Sequence, residues 1–233
     1  RTFYYAFNDA ISDSRRMACN SCHFEGGDDG LVWVGLDGPR QTPSLAGRLH
    51  NTAPFKWTGT SDTLDASMDE TTERMGGAGM SEGERSDLTA FLLEGLRPLR
   101  NPNLAADGTL NDAQQRGLEL FYGDASCASC HVGGGSDGLR HDAGTWGEPD
   151  QAIHDARVAV GEAEGKADRR FNTPSLAGVW RSAPYLHDGS AASLEAVLLS
   201  TSRTGSPWSS AWMWDADLTD TQLGDLVAYL KTL

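Results

Sequence analysis

The chain of 233 residues has no run approaching the 18 or more consecutive apolar residues that a membrane-spanning helix needs, which excludes an integral helical membrane protein. It is poor in basic charge: 19 Lys and Arg stand against 33 Asp and Glu, a formal net charge of -14. That balance argues against a nucleic-acid partner, because a phosphate backbone calls for a basic footprint. Cysteine is scarce, with four in all. The sequence also lacks an initial Met and the charged, then apolar, opening of an export signal. It starts instead on RTFYYAF, which reads as the inside of an element and predicts further protein upstream of Arg1. Aromatic residues are not lacking: seven Trp argue against wholesale disorder. The 27 Gly and 39% hydrophobic content predict short elements joined by many loops. The length suits one large domain or two of about 100–120 residues.

The four cysteines leave no remainder. Cys19 and Cys22 lie in CNSCH, which ends on His23, and Cys127 and Cys130 lie in CASCH, which ends on His131. C-x-x-C-H is the signature of covalent c-type haem attachment. Two thiols on a tight turn can each add to one vinyl group of a porphyrin, and the adjacent His then takes the iron as proximal ligand. A single C-x-x-C also suits a zinc knuckle, a redox thiol pair or a disulfide. A zinc site built from both pairs leaves the trailing His unexplained twice, and a thioredoxin-like site wants a βαβ pattern that the sequence does not have. Two c-type haems are therefore expected, and with them a periplasmic or extracellular location.

An internal repeat organises the rest. EGGDDGL (25–31) recurs as GGGSDGL (133–139), TPSLAG (42–47) as TPSLAG (173–178), and APFKWTG (53–59) as APYLHDG (183–189). Leu64 and Leu194 follow at one offset, and SEGERSDLTAFL (81–92) matches TDTQLGDLVAYL (219–230). The last pair predicts a helix in each half. Ser81 and Thr219 act as N-caps, and Leu88, Phe91 and Leu92 fall at helical spacing, as do Leu226, Tyr229 and Leu230. Each should pack across the helix that carries its haem turn. Asn111 caps a further helix over 112–121, and RPLRNPNLAADG (97–108) reads as a linker. The expected fold is mainly α: two tandem, loop-rich cytochrome c-like domains, 1–102 and 103–233, each built around one haem.

The two C-x-x-C-H units, TPSL followed by APYLHDGSAASLEAV (183–197), and the closing LTDTQLGDLVAYLKTL (218–233) resemble the bacterial di-haem cytochrome c peroxidases and their MauG-like relatives over nearly the whole chain. The resemblance implies two cytochrome c-like domains that pass electrons between their haems. It also implies one His/Met-ligated haem that stores an electron and one that handles peroxide. In the peroxidases a distal His follows the first haem motif closely. Positions 32–49 hold no His here, and APFKWTG carries Lys56 and Trp57 instead. The first half thus resembles a second copy of the electron-transfer domain.

Alignment on the closing helices places Met75 opposite Met213, and these two are the candidate distal iron ligands. Thioether ligation favours ferrous iron. Met80, Met17 and Met68 are expected to be packing residues. Arg48 and Arg181 are candidates to pair with haem propionates. His187 and Lys56 are weak candidates for a catalytic role. His50, His141 and His154 are expected at the surface or near propionates. The loops around Asp28, Asp29 and Asp137 could hold calcium, although solvated turns are the better default. The leading functional expectation is a di-haem cytochrome passing single electrons between two His/Met-ligated haems and a partner with a basic docking face. The alternative is a peroxidase or MauG-like oxidase with one haem open to peroxide.

Overall fold

The computed structural model describes residues 1–50, 52–201 and 218–233. The first half runs through α1 (Thr2–Tyr5), α2 (Cys19–Cys22), the hairpin of β1 (Val32–Gly35) and β2 (Gly38–Gln41), α3 (Leu64–Arg74) and α4 (Glu82–Ala90). The second runs through α5 (Asp112–Tyr122), β3 (Arg140–His141), α6 (Glu148–Ala159), β4 (Phe171–Asn172), α7 (Leu194–Thr201) and α8 (Asp220–Leu230). Both strand pairs are antiparallel, with Val32 opposite Gln41 and His141 opposite Phe171. Helices dominate and strands are few, as expected. Among the described residues no helix is long and apolar enough to cross a membrane.

The predicted caps form. Ser81, Asn111 and Thr219 each accept a hydrogen bond from the amide three residues on, and Glu84, Gln114 and Gln222 reach back to close the capping box. Helix α8 packs across α5, which carries the second haem turn. Gly117 makes the crossing close: a Cβ there would sit 2.0 Å from the Asp225 carbonyl oxygen. Arg116 clamps it with two bonds to Asp225, 2.7 and 2.8 Å.

Apolar burial forms two clusters. One gathers Tyr4, Ile11, Met68, Met80, Leu88 and Leu92, all from the first half. The other gathers Phe121, Leu194, Leu198, Leu226 and Leu230, all from the second. Each such side chain contributes about 1.5–3 kcal/mol when removed from water. Met68 and Met80 are packing residues, as expected.

The repeat is a repeat of hydrogen bonds as well as letters. The amides of Gly26 and Gly134 bond the carbonyls of His23 and His131 at 2.9 and 3.0 Å. Leu45 and Leu176 bond Gly26 and Gly134 at 2.9 and 2.8 Å, and Phe55 and Tyr185 bond Ser61 and Ala191, both at 2.7 Å. The halves also meet symmetrically. Gln41, just before the first TPSLAG, donates to the His187 carbonyl at 2.6 Å, while Asn172, just before the second, donates to the Trp57 carbonyl at 2.8 Å.

Candidate di-haem cavity

Each C-x-x-C-H forms a tight turn, helical over Cys19–Cys22 and a 3₁₀ turn over Cys127–Ser129. The amides of His23 and His131 close these turns on the carbonyls of Cys19 and Cys127, at 3.0 and 2.9 Å. The four thiols are free of disulfides. Burial pushes Cys19 and Cys127 up to about 11. That direction disfavours the reactive thiolate at Cys19 and Cys127.

The imidazoles are held alike. His23 Nδ1–H donates to the Pro43 carbonyl at 3.0 Å, and His131 Nδ1–H donates to the Gly135 carbonyl at 3.3 Å. A carbonyl can only accept, so each ring carries its proton on Nδ1 and leaves Nε2 as a lone-pair donor. Burial pushes both rings down, which favours the neutral form a metal needs, while those backbone carbonyls push the other way. The Lys56 charge lowers His23 further.

His23 and His131 line one continuous cavity of about 630 Å³. Its first-half wall includes Leu45, Leu49, Phe55, Leu64, Lys56, Ser67 and Thr71, and its second-half wall includes Cys127, Cys130, Leu176, Val179, Leu194 and Val197. Apolar walls and neutral imidazoles with free Nε2 atoms fit a c-type haem at each motif; Cys127 and Cys130 stand on the cavity wall, and Cys19 and Cys22 precede His23 on its turn. Cys19, Cys22 and His23 would hold one, and Cys127, Cys130 and His131 the other.

Trp57, Phe171 and His187 line the same cavity. His187 is 1% exposed and stacks on Phe171 with ring centroids 3.9 Å apart. Its Nε2–H donates to Asp150 at 3.0 Å, and Arg40 holds the other Asp150 oxygen at 2.7 Å. Although burial opposes it, these two partners hold the Asp150 carboxyl below the usual carboxylate range. His187 Nδ1 is left as a buried acceptor without a partner on the cavity wall. Gly38, at φ +102°, makes room for this group, since a Cβ there would lie 2.7 Å from Asp150 Oδ1.

The other candidates fall as follows. Arg48 lines the cavity and crosses between halves to the Ala177 carbonyl and to Ser182, while Arg181 crosses the other way to Ser44. Burial pushes Arg48 down to about 10. Asp28 lies near both guanidinium groups, and burial raises its carboxyl. Asp29 and Asp137 are engaged by their own turns, through the amides of Leu31 and Leu139, and by Trp33 and His141. His141 lines the cavity. His50 and His154 stand apart from it, bonded to the carbonyls of Leu93 and Gly165. Met75 packs against the first-half cluster and is not part of the cavity wall, where no described residue is a Met. Met213 lies outside the described residues. Asp150, Arg40 and Tyr4 were not expected. Tyr4 is fully buried; its hydroxyl donates to the His23 carbonyl and accepts from the Gly26 amide at 3.0 Å, tying α1 to the first haem turn.

Methylamine utilization protein MauG of Methylorubrum extorquens is 30% identical over 97% of this chain and 75% of its own length. The chain belongs to the di-haem cytochrome c peroxidase and MauG-like superfamily. A cytochrome c551 peroxidase of Nitrosomonas europaea is 25% identical over 97% of the chain and 77% of its own. A family model described as RoxA-like, cytochrome c-like matches residues 171–209. The same fold is seen in a hydrazine synthase structure from Kuenenia stuttgartiensis, with a TM-score of 0.72 at 24% identity, covering 99% of this chain and 85% of that one. Membership of the MauG-like superfamily implies c-type haem cofactors, which agrees with the fit of the cavity to the two C-x-x-C-H turns.

Proposed function

We propose that this chain is a di-haem oxidoreductase of the peroxidase and MauG type, exported from the cytoplasm, with its first site open to peroxide and its second storing and relaying an electron. A c-type haem at each motif would supply a one-electron centre and, where the iron keeps a free position, a place for peroxide to bind. One observation carries this reading. The cavity that His23 shares presents Lys56, Ser67 and Thr71, while the half-buried Met75 packs against the first-half cluster and not on the cavity wall. That favours an open first site over the reading in which both irons are His/Met-ligated and only electrons pass. The peroxidase among its relatives supports the same choice.

The chain's own residues do the positioning. Pro43 and Gly135 orient the imidazoles. Arg48 and Arg181 brace the two halves and are the proposed propionate partners. Met213 is the proposed distal ligand of the second site. Residues 1–102 and 103–233 form the two proposed cytochrome c-like domains. The net charge of -14 would steer a redox partner with a basic face at low ionic strength. The test is spectroscopic and kinetic on the holoprotein. One haem should be high-spin and bind cyanide, either as isolated or after one-electron reduction. The protein should then consume hydrogen peroxide while oxidising a reduced c-type cytochrome. Two low-spin haems that refuse cyanide in every redox state would refute it.

A further inference from the structure

The two haem sites are not chemically equivalent, although the repeat makes them equivalent in position. Lys56 occupies the place of Leu186, and both line the cavity. Ser67, on α3, occupies the place of Val197, on α7, and both line it too. The first site is thus polar and cationic where the second is aliphatic. The backbone does not dictate the exchange. Lys56 and Leu186 share the same left-handed conformation, φ +68° in each, so the turn accepts either side chain. The choice of Lys belongs to the cavity.

The ammonium is held but not neutralised. Lys56 Nζ donates to the Ser67 carbonyl at 2.8 Å and to the Thr71 hydroxyl, both uncharged acceptors. An ammonium has three donors, so one remains. Among the described residues, no carboxylate lies within ion-pair distance of it. The acids whose charge reaches it have other partners: Glu70 accepts from Ser61 at 2.8 Å, and Asp37 pairs with Arg74 at 3.0 Å. Burial pushes Lys56 down to about 8, against the pull of Glu70, which leaves the group mostly charged at neutral pH. A half-buried cation with no carboxylate paired to it among the described residues calls for an anion.

We infer that Lys56 is the anion-binding group of the first site, supplying the counter-charge for a small anion that enters the cavity beside His23. The chemical class is compact monoanions: hydroperoxide as substrate, with azide and fluoride as probes. Ser67 and Thr71 position the ammonium. This inference rests on the open first site proposed above, and the experiment separates the two.

Azide and fluoride are titrated optically into ferric holoprotein, and carbon monoxide into the reduced holoprotein, for wild type, Lys56→Met and Lys56→Gln. Losing a charge-assisted hydrogen bond should weaken both anions by about 10- to 100-fold in each variant. Binding of carbon monoxide, which carries no charge, should be unchanged. If wild type binds azide and both variants bind it equally well, the inference is overturned and the open site stands; a haem propionate would then be the partner of Lys56. If the variants lose anions and carbon monoxide alike, the lysine is structural and the inference again fails. If wild type binds none of the three ligands, the open-site reading fails and takes this inference with it.

Discussion

Trp57 and His187 hold the same place in the two repeats and pack against each other edge to face, with ring centroids 6.4 Å apart. The carbonyl of each accepts an amide from the other half. Duplication has therefore placed one structural position twice at the junction, once as an indole and once as an imidazole. The imidazole needs a polar partner in a buried place, and Asp150 supplies it.

Asp150 should accordingly be among the costliest side chains to remove. It is fully buried, it accepts from His187 Nε2–H, and it is the carboxylate partner of the mostly buried Arg40. Breaking a buried pair by removing one member costs about 3–5 kcal/mol, because the other charge is left without compensation. Asp150→Ala should lose that much in denaturant melts of the holoprotein. Adding Arg40→Met to Asp150→Ala should recover part of it. A loss below about 1 kcal/mol for the single variant would show that the group is not a stabilising unit.

The pH dependence follows from the same site. The folded carboxyl of Asp150 is held below its usual 3.8. A depressed carboxylate contributes stability that is fully present above the unfolded value and is lost as pH falls through the folded one. The stability gap between wild type and Asp150→Asn should thus stay level from about pH 5 to 7 and narrow below about pH 4. Asp168, lowered by hydrogen bonds from Arg170 and Arg140, titrates in the same direction in both proteins, so it cancels in the difference. A gap that widens on acidification would contradict the assignment.

Much of this was legible in the sequence because it is encoded at short range. The haem turns, the three capping boxes and the repeat are patterns of spacing, and spacing survives folding. Helix α6 was not read. It follows Gly147, which has no capping side chain, and its apolar positions, Ala152, Ile153, Ala156 and Ala159, are at helical spacing but mostly small. Its other cues are Pro149 in the first turn and the acids Glu148 and Asp150 around it. Missing α6 meant missing Asp150 and the partner of His187. Lys56 was visible as a residue but not as part of a group. Its meeting with Ser67 and Thr71 depends on where α3 begins, which the Thr63 cap decides. Met75 shows the limit of alignment: pairing with Met213 spoke for ligation, while the structure has its side chain against the first cluster and off the cavity wall. Periodicity and alignment do not report which side of a loop faces a cavity.

Haem loading should separate by half. Cys19→Ala with Cys22→Ala should leave one covalently attached haem per chain, and so should Cys127→Ala with Cys130→Ala. Intact-mass measurement and a pyridine haemochrome assay check both. Loss of both haems from either double variant would mean that the two sites load as one unit.

Tyr4 should matter to the first site without touching its thiols. Tyr4→Phe keeps the ring that packs on Phe91, with centroids 5.4 Å apart, but removes the hydroxyl shared by the His23 carbonyl and the Gly26 amide. Leaving a buried donor unpaired costs about 1–3 kcal/mol. The effect should be local: the optical transition of the first haem should come at lower denaturant, while that of the second stays in place. Coincident shifts of both transitions would show that the halves unfold together.

Gly117→Ala sets two opposed magnitudes against each other. Within a helix the exchange ordinarily gains about 0.5–1 kcal/mol, since glycine is the poorer helix former. Here the new methyl would meet the Asp225 carbonyl oxygen at 2.0 Å and the Tyr229 Cβ at 2.7 Å, and two of its three nearest atoms are backbone that no rotamer change can move. Helix α8 would have to lift from α5, opening the Arg116–Asp225 clamp and the contact of Phe121 with Tyr229, whose rings lie 5.3 Å apart. Overpacking of this kind costs about 1–3 kcal/mol, so the net change should be a loss. Denaturant melts of the holoprotein check the sign, and a stabilised Gly117→Ala would mean that the crossing is looser than its geometry states.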